Sequence, residues 1–99
     1  NKLDNYVNIQ SSILNRMVDY IKKGGFIFYI TCSILKEENE DQIRKFLSNN
    51  KGFKTINLSE QLKDILRIKI KEKKPNWFTL MPNTFQSDGF FICKVKKIK

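Results

Sequence analysis

Phe26-Ile27-Phe28-Tyr29-Ile30-Thr31-Cys32-Ser33 is the stretch from which the rest of the chain can be read. Five apolar or aromatic residues precede Thr31 with no polar alternation, the pattern of a strand covered by protein on both faces, as in parallel sheets. This predicts a central strand over 26–31 with parallel neighbours. Before it, Ile9, Ile13, Met17, Tyr20 and Ile21 recur at three- and four-residue spacing, with Leu14 and Val18 widening the stripe. The periodicity predicts an amphipathic helix over 3–23 whose stripe faces the core. Lys22 and Lys23 suit the negative end of its dipole, and Gly24-Gly25 can adopt the left-handed conformation that ends it.

After the quoted stretch a second helix is predicted over 37–49, with Ile43, Phe46 and Leu47 inward. Glu37, Glu38, Glu40 and Asp41 gather at its start, where the dipole favours acids. A short strand over 53–58 follows. From the possible cap Ser59 through Leu62, Ile65 and Leu66 the pattern fits helix or strand equally. Two further strands, 77–81 and 89–95, are joined by the turn-rich segment 82–88. Helix, apolar strand, helix is half of a three-layer α/β/α sandwich, and the chain therefore reads as part of a sheet domain whose other strands lie elsewhere.

Ninety-nine residues make one small domain or part of a larger one. Hydrophobic residues at 40% and twelve aromatics provide for a core, so a disordered tail is excluded. Two cysteines do not make a disulfide framework, and no run approaches the roughly 18–20 apolar residues of a membrane span. No charged leader opens the sequence, so the expectation is a reduced, cytoplasmic protein without a membrane partner. The net charge of +9 is uneven: residues 1–50 carry seven Lys/Arg against six Asp/Glu, residues 51–99 twelve against four. A basic half suits a polyanion such as a nucleic acid, although sixteen lysines, thirteen isoleucines and ten asparagines also fit an A/T-rich coding bias.

Thr31-Cys32-Ser33 stands at the end of the apolar strand, where open α/β sheets place ligands and catalytic groups. A cysteine there, facing the positive end of the next helix, can act as a thiolate nucleophile. It can equally be a small buried core residue.

Several segments in order carry a family resemblance: Gln10-x-x-Ile13-Leu14, Lys23-Gly24-Gly25, Tyr29-Ile30-Thr31-Cys32-Ser33-Ile34, Glu37-Glu38-Asn39-Glu40, and Pro82 followed by Asp88-Gly89-Phe90-Phe91. From Ile9 to Val95 the chain resembles the C-terminal half of the Sun-type (Fmu-like) RNA 5-methylcytosine methyltransferases. The resemblance implies a Rossmann-like, S-adenosylmethionine-dependent methyltransferase fold, a three-layer, mostly parallel sheet with an antiparallel last strand. Residues 1–99 would be its C-terminal portion, without the cofactor-binding portion. It implies Cys32 as the nucleophile that adds to carbon 6 of cytosine, so that carbon 5 can accept a methyl group. Thr31, Ser33 and Asp88 would be its substrate-site neighbours, with Ser33 shaping the turn, capping the next helix or bonding the substrate. Ribosomal or transfer RNA would be the partner, and a eukaryotic version would be nucleolar.

The departures are specific. The family's glycine-rich cofactor turn has no counterpart, and neither has its earlier Pro-Cys strand end with the neighbouring Asp. Cys93 lies inside the last strand and reads as core. Phe85 and Gln86 stand where relatives carry a His before Asp-Gly-Phe-Phe. Lys69, Lys71, Lys73 and Lys74 form the densest basic group and are the expected RNA contacts, with Trp77 and Phe78 beside them as stacking or, preferably, core residues. Two other readings stay open: a noncatalytic RNA-binding module, and another Rossmann-like methyltransferase with a structural cysteine.

Overall fold

The computed structural model describes residues 2–33, 35–58, 61, 76–80 and 90–99. The ambiguous stretch from Ser59 to Leu66, the turn over 82–88 with Asp88, and Lys69, Lys71, Lys73 and Lys74 lie outside the described residues apart from Gln61.

Helix α1 (Lys2–Met17) tightens into a single 3-10 turn at Val18–Tyr20 and becomes extended at Ile21. Gly24 takes φ +88°, a region that glycine enters without steric cost. At Gly25 a Cβ would stand 2.9 Å from the Lys22 carbonyl oxygen, which accepts the Gly25 N–H at 2.8 Å, so the turn also requires glycine there. Strand β1 (Phe26–Thr31) follows. A 3-10 turn at Lys36–Glu38 leads into helix α2 (Glu40–Asn49), and then come β2 (Phe53–Ile56), β3 (Phe78–Leu80) and β4 (Phe90–Lys97).

Every described strand pairs with β4. Strand β1 lies antiparallel along one of its edges, from Phe26 opposite Lys96 to Thr31 opposite Phe91. The other edge is shared: β2 pairs antiparallel with residues 94–97 and β3 with residues 90–92. The order is β1-β4-β2, with β3 also on β4. Thus β1 and β2 run in the same direction with the antiparallel last strand between them. Two main-chain hydrogen bonds close the far end, Gly24 N–H to Lys97 O at 2.7 Å and Lys97 N–H to Gly25 O at 2.9 Å.

Both helices pack on one face of the sheet. There Leu14, Ile27, Tyr29, Ile43, Phe46, Phe53, Phe91, Cys93 and Val95 form the core, and Phe91, Cys93, Val95 and Ile43 are fully buried. Tyr29 meets Phe91, and Phe46 meets Phe53, edge to face at centroid distances of 6.1 and 5.2 Å. Trp77 packs against this core with Arg44 over its ring, while Phe78 is buried with Leu58 in a second, smaller cluster.

Two expectations are corrected. Among the described residues β1 is covered on one face only, while its described neighbour β4 is the antiparallel last strand that the resemblance implies: Ile27 and Tyr29 are buried, whereas Phe26, Phe28 and Ile30 are 42, 53 and 58% exposed. The run has the sequence of a two-sided strand, but the helices of this chain cover one side. Lys94 and Lys96 partly shelter the other, with the Lys94 ammonium 4.1 Å from the Phe26 ring centre. The stripe of α1 is also rotated from its expected orientation. Leu14 is buried and Val18 and Ile21 pack on the core, but Ile9, Ile13, Met17 and Tyr20 are exposed. Ile13 and Met17 instead line a groove of about 600 Å³ shared with Phe26, Phe28 and Ile30 along the edge of β1 that pairs with no other described strand. On β4 Phe91 is buried and Phe90 half-buried.

Among the described residues β1 thus presents an apolar face beside an edge with no strand partner, a combination that favours association with other apolar surfaces. The 99-residue chain is therefore expected to self-associate in light scattering, and Phe28→Lys with Ile30→Lys to reduce that association without lowering the melting temperature. A monodisperse parent chain would contradict this.

Candidate functional site

Strand β1 delivers Thr31, Cys32 and Ser33 to its C-terminal end, where the chain leaves the sheet. The Cys32 side chain is exposed, and among the described residues it makes no hydrogen bond. Its two neighbours are held. Thr31 Oγ1 donates to Asn39 Oδ1, and Asn39 Nδ2 donates to the Ser33 carbonyl oxygen at 2.7 Å. Ser33 Oγ donates to Glu38 Oε2 at 2.6 Å and accepts the Leu35 N–H at 3.0 Å. Ser33 therefore closes a local turn and does not cap α2, whose first position is preceded by Asn39.

The clamp is itself anchored from both helices. Gln10 of α1 donates to Glu38 Oε1 at 2.9 Å, and Gln42 of α2 donates to Gln10 Oε1 at 3.2 Å and to the Val7 carbonyl at 2.6 Å. Tyr29, one strand position pair before Thr31, donates its hydroxyl to the Glu38 carbonyl at 2.6 Å. Asn39 and Gln42 are buried, and no buried side-chain polar atom among the described residues lacks a partner. Burying two amides is tolerable only with such partners, since an unpaired one costs about 1–3 kcal/mol.

The sequence placed Cys32, Thr31 and Ser33 together at a strand end, and the structure puts them there. It assigned no role to Gln10, Glu38, Asn39 or Gln42, and treated Glu38 as one of a group of acids at a helix start. A signal was present. Asn39 and Gln42 fall on the same helical face as Ile43 and Phe46, and a polar residue on an apolar face implies a buried partner. The turn with Asp88 and the four lysines expected to meet RNA are outside the described residues.

Cys93 is the counterpart of Cys32. It stands opposite Tyr29 in the β1–β4 ladder, is fully buried, and its thiol donates to the Asn76 carbonyl at 3.4 Å. Burial pushes it from 9.0 up to about 12, so it stays a thiol at neutral pH. Tyr29 is likewise pushed from 10.0 up to about 12, first by burial and then by the Glu38 charge. Among the described residues no group of three or more His, Cys, Asp or Glu is placed to hold a metal, and no helix is long and apolar enough to cross a membrane.

Known proteins resemble this chain in sequence and in fold. The model of the family described as 16S rRNA methyltransferase RsmB/F matches residues 1–96. The probable ribosomal RNA small subunit methyltransferase B of Bacillus subtilis is 32% identical over 90 residues, which is 90% of this chain and 20% of that protein. The crystal structure of PH0851 superposes with a TM-score of 0.81 at 29% identity, over 98% of this chain and 20% of that one. That of NSun6 from Pyrococcus horikoshii with SFG gives 0.69 at 24% identity, over 94% of this chain and 22% of that one. The chain thus spans about a fifth of the length of these relatives, and its α/β architecture is that of a part of a Rossmann-like methyltransferase fold.

Two measurements follow from the two thiols and Tyr29. Iodoacetamide should label Cys32 in the folded chain and reach Cys93 only after denaturation, as read by mass spectrometry; equal labelling would contradict the burial. In alkali the unfolded chain loses the Cys93 and Tyr29 protons near pH 9 and 10 while the native state retains both to about 12. Stability should therefore be full below pH 9 and fall between pH 9 and 12, by about 1 kcal/mol per pH unit for each group titrating. Cys93→Ala should flatten the lower part of that fall in denaturant melts, and an unchanged profile would contradict the assignment.

Proposed function

The chain belongs to the 16S rRNA methyltransferase RsmB/F family, and from that premise we propose that it is the nucleophile-bearing C-terminal portion of an RNA cytosine-5 methyltransferase. The observation that carries the reading is the contrast between an exposed Cys32 on a strand-end turn with both neighbours tied, and a Cys93 sealed in the core as a thiol.

Carbon 5 of cytosine is a poor nucleophile. Addition of the Cys32 thiolate to carbon 6 forms an S–C bond and places electron density on carbon 5, which can then take an electrophilic methyl group. Loss of the carbon 5 proton to a base and cleavage of the S–C bond restore the aromatic ring and free the thiolate. An exposed sulfur at a sheet's edge is accessible to a base swung out of an RNA strand. The B. subtilis relative is named for small-subunit ribosomal RNA, which makes that RNA the proposed substrate. The basic second half of the chain, including Lys69, Lys71, Lys73 and Lys74, would help to hold it.

S-adenosylmethionine supplies the methyl group in this reading, supported by the family and by the SFG-bound neighbour, SFG being an analogue of that cofactor. The described residues do not fit its pocket. The family's glycine-rich cofactor turn follows a strand, whereas Gly24 and Gly25 precede β1 and are engaged with Lys22 and Lys97 main chain. We therefore assign the cofactor to the rest of the protein, together with the strands and helices that cover β1. The isolated chain would be inactive.

In the complete protein Cys32→Ser should reduce methylation of small-subunit ribosomal RNA by a thousandfold or more, on the order seen when a nucleophile is removed, while RNA binding survives. Cys93→Ala should keep the turnover and cost about 1–2 kcal/mol of stability. Transfer of tritiated methyl groups measures both variants side by side. Parental turnover by Cys32→Ser would leave the cysteine structural, and RNA binding by the complete protein without any methyl transfer would leave a binding module.

A further inference from the structure

We infer that Glu38 and Asn39 are positioning residues for Cys32, a role that rests on the reading of Cys32 as nucleophile. The two consecutive side chains grip the residues on either side of the cysteine. Asn39 takes the Thr31 hydroxyl and the Ser33 carbonyl, and Glu38 takes the Ser33 hydroxyl. The turn from Thr31 to Ser33 is thus fixed before, after and across Cys32, while the sulfur itself is left without a hydrogen bond among the described residues. Such a turn presents its thiol in one direction at little entropic cost when a substrate arrives.

The partners of Glu38 distinguish positioning from proton transfer. One carboxylate oxygen receives Gln10 at 2.9 Å and the other receives Ser33 at 2.6 Å, so each faces a donor other than Cys32. Ser33 in turn donates to Glu38 and accepts from Leu35, which occupies its hydroxyl within the turn. Through Gln10, Gln42 and the Tyr29 hydroxyl the clamp is tied to α1, α2 and the middle of β1. The arrangement is therefore rigid with respect to the sheet, which is what a positioned nucleophile needs.

The test uses the complete protein with S-adenosylmethionine and a small-subunit ribosomal RNA transcript carrying 5-fluorocytosine, which holds the cysteine adduct. Single-turnover traces separate the rate constant of adduct formation from its amplitude, which counts folded protein. Glu38→Ala and Asn39→Ala should slow the rate constant on the order of 10- to 100-fold, the loss that small misplacements of a reacting group produce. RNA affinity should stay at the parental value, and Glu38→Gln should recover part of the rate. A parental rate constant in the alanine variants, whether or not the amplitude drops, would overturn the positioning role and leave a merely structural one. If an alanine variant yields no folded protein, Glu38→Gln decides, a parental rate constant overturning the inference and a slower one supporting it. Cys32→Ser run alongside separates the two readings: an adduct formed by that variant would instead remove Cys32 as nucleophile.

Discussion

The pairing of β1 with β4 is the constraint on which the rest of this structure depends. Six residue pairs, from Phe26–Lys96 to Thr31–Phe91, join the strand that carries the cysteine to the last strand of the chain. Strand β4 has neighbours on both edges, and its inward residues Phe91, Cys93 and Val95 are fully buried. The site at the end of β1 is thus built on the final residues of the sequence. The paired residues lie 60 to 70 positions apart, so the ladder is a non-local contact whose loop-closure cost the packing around it must offset.

On this frame the exposed thiol and the buried amides complement one another. Asn39 and Gln42 lie on the apolar side of α2, where unpaired amides would be unfavourable, and the satisfied network turns that liability into rigidity. The same bonds that satisfy Asn39 hold Thr31 and Ser33. Packing of α2 on the sheet and the shape of the cysteine turn are consequently one event. A helix displaced by a fraction of its pitch would lose both.

The open face of β1 relates the chain to its family. Phe26, Phe28 and Ile30 have the composition of covered positions, yet among the described residues only Lys94 and Lys96 shelter the two aromatic rings, while the relatives are about five times longer than the matched region. Apolar residues on both sides of a strand are costly unless both sides are eventually covered. Ile13 and Met17 of α1 face the same edge. Helix α1 thus has two apolar sides, one on this sheet and one along the groove at the β1 edge.

Local chemistry was enough to read most of the elements from the chain itself and to mark a cysteine at a strand end, whereas its proposed role as nucleophile rests on the family resemblance. Five apolar residues ending in Thr-Cys-Ser make a strand with a reactive side chain at its end, Gly24-Gly25 stops what precedes it, and Ile43 with Phe46 gives α2 an inner side, because each of these depends on residues a few positions apart. Cys93 in a β-prone run was legible as core for the same reason. What needed the tertiary structure were relations between distant residues. Which side of α1 is buried depends on where the sheet lies, so Leu14 rather than Ile13 or Met17 faces the core. The resemblance implied an antiparallel last strand, but that β4 pairs with β1, β2 and β3 depends for β1 on contacts across 60 to 70 residues, for which a single strand's sequence carries no register. The clamp of Glu38 and Asn39 became visible only when helix and turn were docked, because a hydrogen bond is specified by the meeting of two groups and the sequence of either one names only what it can offer.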